Sequence, residues 1–252
     1  MRTSYVAVSS IVLASACGSV WADVLYDTLT GALGSIPRFI SVASVELSNP
    51  GIAANSVYSA FPLTVPAAGG EAGSGWNISV LEMGFGTHAF TSQPMPLAGN
   101  GRLYIFSRAA GAPLPLSADD PHSGTVLPYT YTPSAPFASQ RRGTLRVEGL
   151  DLTLMSGDYW IGFAPIIDTV AITLAPQMFG VGDASGGGSS DLLPVSISPG
   201  GVQAPTTDWF EHDFGAGAVG LMAMRLTGTV VPAPGAAAVL CLAGLSMARR
   251  RR

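Results

Sequence analysis

The middle of this 252-residue chain reads as an all-β fold, a β-sandwich of jelly-roll type, and three observations predict it. Apolar side chains alternate along a series of short runs. Clusters of Gly, Pro, Ser and Asp separate those runs, and no amphipathic helix of ordinary length interrupts them. The 31 Gly, 19 Pro and 11% charged residues make a turn-rich, charge-poor composition, yet the apolar share is too high for a disordered chain. Two sheets that each bury one face around a shared core satisfy that pattern in a domain of about 200 residues.

Taken in order, the first strand-like run is Phe39 to Leu47, followed by Trp76-Asn77-Ile78-Ser79-Val80 and Arg102-Leu103-Tyr104-Ile105-Phe106. Thr144 to Glu148 and Asp151 to Leu154 come next, on either side of Gly149-Leu150. Tyr159 to Phe163, Val170 to Leu174 and Leu221 to Leu226 complete the set. The proline-rich stretch Ala112 to Pro136 and the Gly/Ser stretch Gly180 to Ser190 read as long surface loops within one domain.

Composition excludes several chemistries. All 12 basic residues are arginine, so a P-loop, a Schiff-base lysine and a Ser-x-x-Lys nucleophile are ruled out. Arg2 and Arg249 to Arg252 lie in the end segments while all 16 acidic residues lie between them, which leaves an acidic domain and argues against nucleic acid as a partner. The two cysteines, Cys17 and Cys241, fall in apolar terminal segments. The domain therefore contains no thiol, and an oxidising compartment costs it nothing.

Residues 1–22 have the layout of a signal peptide: Arg2, an apolar stretch from Tyr5 to Ala16, then small residues with Val20 and Ala22 placed for cleavage before Asp23. Signal peptidase is the partner this implies. An earlier cut after Ala16 and a lipoprotein reading at Cys17 are weaker, the latter because Leu13 stands one position too far from the cysteine. At the other end, Gly235 to Ala248 form an apolar run worth about 21 Å of helix, against a hydrocarbon core of about 30 Å. Four arginines follow. Their side chains snorkel and favour the cytoplasmic side, and Pro232 and Pro234 place a stiff extended element just before the apolar run.

Val231-Pro232-Ala233-Pro234, a short apolar helix and the cluster Arg249, Arg250, Arg251, Arg252 together resemble the PEP-CTERM sorting signal of Gram-negative bacteria that make extracellular polysaccharide. Ala233 stands where that family usually has glutamate. The resemblance covers residues 231–252 and implies recognition by an exosortase-type membrane protease, transient anchoring in the inner membrane and delivery to the cell surface or matrix. The stretch Leu152 to Phe163, with its Ser-Gly-Asp turn and aromatic strand, resembles a hairpin recurrent in the extracellular domains of the same family. On this reading residues 23–230 are the β-sandwich domain, and a tail anchor without processing is the plainer alternative.

Chemistry in the domain is sparse. Gly215 to Gly220 matches the dinucleotide fingerprint by letters but lacks a βαβ context and an acidic residue about 20 positions on. Asp183-Ala184-Ser185-Gly186-Gly187, with His88 and Asp120 upstream, has the chain order of a serine protease triad, but Ala184 displaces the serine and a flexible loop is the better account. His88, His122 and His212 are far apart, and Glu211-His212-Asp213 would alternate faces on a strand. Calcium on Asp119 and Asp120 is the one cofactor left open, with only two local carboxylates to hold it. Tyr129 and Tyr131 share a face on an extended segment, and Trp209 lies among polar residues, so these three are the candidates for exposed rings that stack on sugars. Trp160 reads as core. The expectation is a non-enzymatic, exported, structural or adhesive protein; a module binding extracellular polysaccharide is the alternative, and a secreted hydrolase ranks last.

Overall fold

A computed structural model describes residues 22–29, 38–41, 44–45, 56–67, 74–87, 95–133, 141–167, 176–181, 193–198, 209–212 and 221–233. They form an all-β fold of fifteen strands: β1 (Asp23–Asp27), β2 (Arg38–Ser41), β3 (Ser44–Val45), β4 (Ser56–Ser59), β5 (Phe61–Val65), β6 (Gly75–Thr87), β7 (Ala98–Ser107), β8 (Thr125–Pro133), β9 (Arg141–Met155), β10 (Gly157–Ile167), β11 (Pro176–Val181), β12 (Leu193–Ser198), β13 (Trp209–His212), β14 (Leu221–Met222) and β15 (Met224–Val231). Twelve of them make one curled sheet that runs β1-β15-β6-β9-β8-β7-β10, with β5 on the other side of β10. β11 joins the far end of β6 and carries β2 and β14, and β3 adds a short parallel contact to β10. The remaining three strands form a small antiparallel sheet in the order β13-β12-β4.

The inner face of the large sheet is the core. Leu81 and Met83 of β6 stand opposite Val147 and Leu145 of β9, and Leu226 and Met224 of β15 stand on their other side. All six are essentially inaccessible to solvent. Full burial of such a side chain contributes about 1.5–3 kcal/mol, so this strip alone explains why β6, β9 and β15 are long and tightly paired.

Strand parity changes part-way along the sheet. On β6 the buried residues are Trp76 and Ile78, then Leu81, Met83 and Phe85, because the register slips between Ile78 and Val80. On β9, Gly149 lies at φ +69 at the same level, and β1 slips between Val24 and Tyr26. A bulge adds one residue and flips the faces beyond it; aligned across β1, β15, β6 and β9, these bulges bend the sheet while keeping one side apolar. The break between Thr144–Glu148 and Asp151–Leu154 is thus a left-handed glycine inside one strand, β9, and not a turn.

Two loop expectations are revised. Ala112 to Pro136 contains a loop up to Gly124, with a single 3-10 turn at Pro121–Ser123, but its second half is strand β8. Pro128 is tolerated there because pairing with β9 begins only at Thr130, so at Pro128 the strand has its paired neighbour, β7, on one side. Gly180 and Val181 close β11; residues 182–190 lie outside the described residues, as do Val170–Leu174, residues 1–21 and residues 234–252. Among the described residues no helix is long and apolar enough to cross a membrane.

Candidate functional site

Residues opposite one another in register share a face of the sheet. On the outer face, Trp160, Gly162 and Asp158 of β10 therefore lie with Phe106 and Tyr104 of β7 and with Pro62 and Thr64 of β5. The small sheet covers this region. Tyr58 of β4 meets Tyr104 edge-on at 5.7 Å, and Trp209 of β13 packs at 6.4 Å from Tyr104 and 6.0 Å from Phe106. The Tyr104 hydroxyl accepts from the Ser59 amide at 3.0 Å and donates to the Ser59 carbonyl at 2.7 Å, closing a two-way clamp between the sheets. Burial pushes the Tyr104 phenol well above the usual tyrosine range; the backbone bond to Ser59 opposes that shift and the neighbouring Tyr58 adds to it. Gly162 lies directly opposite Tyr104, and a Cβ there would fall 2.3 Å from the ring and 2.4 Å from the Ser59 carbonyl oxygen.

The loop between β7 and β8 is tied to this cluster. Trp209 Nε1 donates to the Asp119 carbonyl at 2.8 Å, the Tyr58 hydroxyl and His122 Nδ1 are hydrogen-bonded at 2.9 Å, and Arg102 donates to the His122 carbonyl at 3.0 Å. The carboxylates of the loop serve its own backbone: Asp119 accepts from the Leu116 amide at 2.8 Å, and Asp120 caps the short turn by accepting from the His122 amide at 2.9 Å. Among the described residues no group of three or more His, Cys, Asp or Glu side chains is placed to hold a metal ion. Arg108 lies over the Trp160 ring at 4.6 Å, a cation–π contact at the rim of the cluster.

The rest of the outer face carries a row of charges. Asp27 of β1, Arg225 of β15, Glu82 of β6 and Arg146 of β9 stand side by side in register across four strands. Arg225 donates to Asp27 at 2.9 Å and 3.1 Å and approaches Glu82 at 3.6 Å. Arg146 bridges Glu82 and Glu148, each at 2.6 Å, and these bonds raise its guanidinium pKa further. Sequence reasoning passed over this row. Its signal was present as single charges flanked by apolar residues in Leu81-Glu82-Met83, Leu145-Arg146-Val147 and Met224-Arg225-Leu226.

Against these facts the proposed sugar-stacking rings are corrected. Tyr129 and Tyr131 point inward from β8 and are 4% and 5% exposed; Tyr129 packs edge-on against Phe163 at 6.2 Å, and the Tyr131 hydroxyl donates to the Phe85 carbonyl at 3.3 Å. Trp209 is 8% exposed, because its ring closes the aromatic cluster and its N–H is used on Asp119. None of the three presents a free ring face. Trp160 is buried as core, as its apolar surroundings require. His88, Asp183, Ser185 and Gly215 to Gly220 lie outside the described residues, and His212 ends β13.

Both ends of the domain converge. β15 finishes at Val231, Pro232 is exposed and Ala233 is buried; Pro234 and Arg249, Arg250, Arg251 and Arg252 lie outside the described residues. β1 is the neighbour of β15, with Asp23 opposite Gly228. The expected signal-peptide junction and the expected sorting motif therefore leave adjacent strands at one end of the sheet. Compared with known proteins, the chain matches no family model and no curated protein.

Proposed function

We propose that the chain is an exported protein of the PEP-CTERM type, sorted through residues 231–252 by an exosortase-type membrane protease to the cell surface or extracellular matrix, where it has a structural or adhesive role. The observation that carries this reading is the tripartite tail: Val231-Pro232-Ala233-Pro234, the apolar run Gly235 to Ala248 and Arg249 to Arg252, in a chain whose first 22 residues have the layout of an export signal. A thiol-free domain suits an oxidising exterior. For the domain, the finer description as a β-sandwich of jelly-roll type draws support from the small sheet, which lies over β7 and β10 with aromatic rings of both layers between them.

Two changes test the sorting. Replacing Arg249 to Arg252 with neutral residues is expected to misplace the protein, and deleting Pro232 and Pro234 is expected to block processing while leaving membrane insertion intact. Intact-mass measurement of the secreted product, together with fractionation of cells, reads both. Unaltered mass and location in both variants would remove the proposal.

A further inference from the structure

The tail leaves the sheet with little slack. β15 ends at Val231, which is still paired with Gly75, and the apolar run starts at Gly235. Four Cα steps separate them, a reach of at most about 14 Å. A run of about 21 Å in a core of about 30 Å draws its flanks inward, since a short span is accommodated by thinning the bilayer and pulling in what borders it. Whatever part of the domain adjoins Val231 is therefore held close to the bilayer surface.

The register identifies that part. Val231 lies opposite Gly75, and Gly75 lies opposite Met155, so the end of β15, the start of β6 and the β9–β10 turn form one rim. The Ser156 amide donates to the Ser74 carbonyl at 2.7 Å, which fastens the turn to the start of β6. Val230 and Met155 lie on this rim, on opposite faces of the sheet, and are 51% and 41% exposed. Leu97 at the far end of the sheet is 64% exposed, so the placement of the rim rests on the tether and not on apolarity alone. Asp23 lies opposite Gly228, three residues and about 10 Å short of Val231, so β1 begins on the same side.

We infer that this rim, with Val230 and Met155 on its two faces, is a membrane-facing edge that rests in the headgroup layer while the tail is inserted, and that the opposite pole of the sheet, around Leu97 and Thr132, points away from the bilayer. The ligand is the lipid interface itself. Adding short apolar contacts beside an anchor strengthens attachment at little ordering cost, because the tether already supplies a high effective concentration. The inference rests on the reading of residues 235–252 as a membrane segment. It adds an orientation: the face offered to a matrix or a neighbouring cell is the Leu97 pole, and the proline motif lies in the crevice between the rim and the bilayer, where a membrane-embedded protease works.

The test uses the expected mature chain, residues 23–252 with Cys241→Ser, reconstituted into phosphatidylcholine vesicles that carry nitroxide-labelled headgroups. Single cysteines at Val230→Cys, Met155→Cys, Leu97→Cys and Thr132→Cys receive a fluorophore. Quenching at least threefold stronger at positions 230 and 155 than at 97 and 132 is the expected result. Equal quenching at all four positions, in protein that floats with the vesicles, overturns the orientation and leaves the tail reading intact. Protein that does not float with the vesicles overturns both.

Discussion

On one face of one sheet, the β5-β10-β7 region carries Trp160, Tyr104 and Phe106, whereas the β9-β6-β15-β1 region carries Arg146, Glu82, Arg225 and Asp27. The backbone pairing is antiparallel in both. What differs is the cover: the three-stranded sheet lies over β7 and β10 in the first region, whereas the four charged side chains of the second are 15–40% exposed. Under cover, the Tyr104 hydroxyl, the Trp209 N–H and the Tyr58 hydroxyl each have a hydrogen-bond partner, because an unmatched polar group there would cost roughly 1–3 kcal/mol. Trp160 Nε1 is the exception among the described residues, buried with no acceptor. In the open region, opposite charges placed side by side favour this register and disfavour like-charge alternatives, at modest energy per pair. The aromatic region is therefore held by burial and the charged region by pairing specificity.

The largest expected effect is the loss of an aromatic from the covered region. Trp209→Ala removes the ring that seals the cluster and the donor to the Asp119 carbonyl, and should cost about 3–5 kcal/mol in chemical denaturation at unchanged m-value. Gly162→Ala attacks the same joint from below: with a Cβ 2.3 Å from Tyr104 and 2.4 Å from a backbone carbonyl, a cost of about 3 kcal/mol is expected. A tolerated alanine, within about 0.5 kcal/mol of the parent, would mean that Tyr104 is not seated between the two sheets.

Tyr104→Phe is subtler. The ring stays, but the two hydrogen bonds that the hydroxyl makes with the Ser59 amide and carbonyl are lost, so a loss of about 1–3 kcal/mol is expected. The same residue sets an alkaline limit. Burial holds the phenols of Tyr104, Tyr131 and Tyr129 above their usual range, so the folded chain keeps protons that the unfolded chain releases from about pH 10 upward. Stability from this source is complete below about pH 10 and falls as the pH rises further. Melting followed between pH 8 and 11.5 should show that decline in the parent and a shallower one in Tyr104→Phe; parallel curves would contradict the burial.

The smallest effect belongs to the charged row. Glu82→Gln breaks the link between Arg146 and Arg225, whose side chains are 40% and 32% exposed, and screening by solvent limits the cost to about 1 kcal/mol or less. The cost should shrink further in 1 M salt, where the Debye length is about 3 Å. A double-mutant cycle with Arg146→Met measures the coupling directly. A loss above about 3 kcal/mol that ignores salt would show the row to be buried and would erase the contrast between the two regions.

Much of the strand content was legible because alternation is a local property. Trp76 to Val80, Arg102 to Phe106 and Tyr159 to Phe163 all lie within strands β6, β7 and β10. β8 was not legible, since prolines 128 and 133 mask it, and only the partial pairing with β9 explains how Pro128 is accommodated. The candidate rings show the sharper limit. Tyr129 and Tyr131 do share a face, as their spacing of two requires, but spacing carries no information on which face is covered. Trp209 looks exposed beside Thr207, Asp208 and Glu211, and is buried because β13 pairs with β12 over the β7 aromatics.

By itself the sequence determined the all-β class, the thiol-free and lysine-free chemistry of residues 23–230, and the apolar character of both ends, because composition and short-range period depend on neighbours a few residues away. Tertiary structure alone decided which rings are inside, which charges stand side by side, and that Asp23 and Val231 leave the sheet from the same end. Those facts depend on register between strands as distant as Asp27 and Arg225, and pairing at that separation is settled only when the whole core closes.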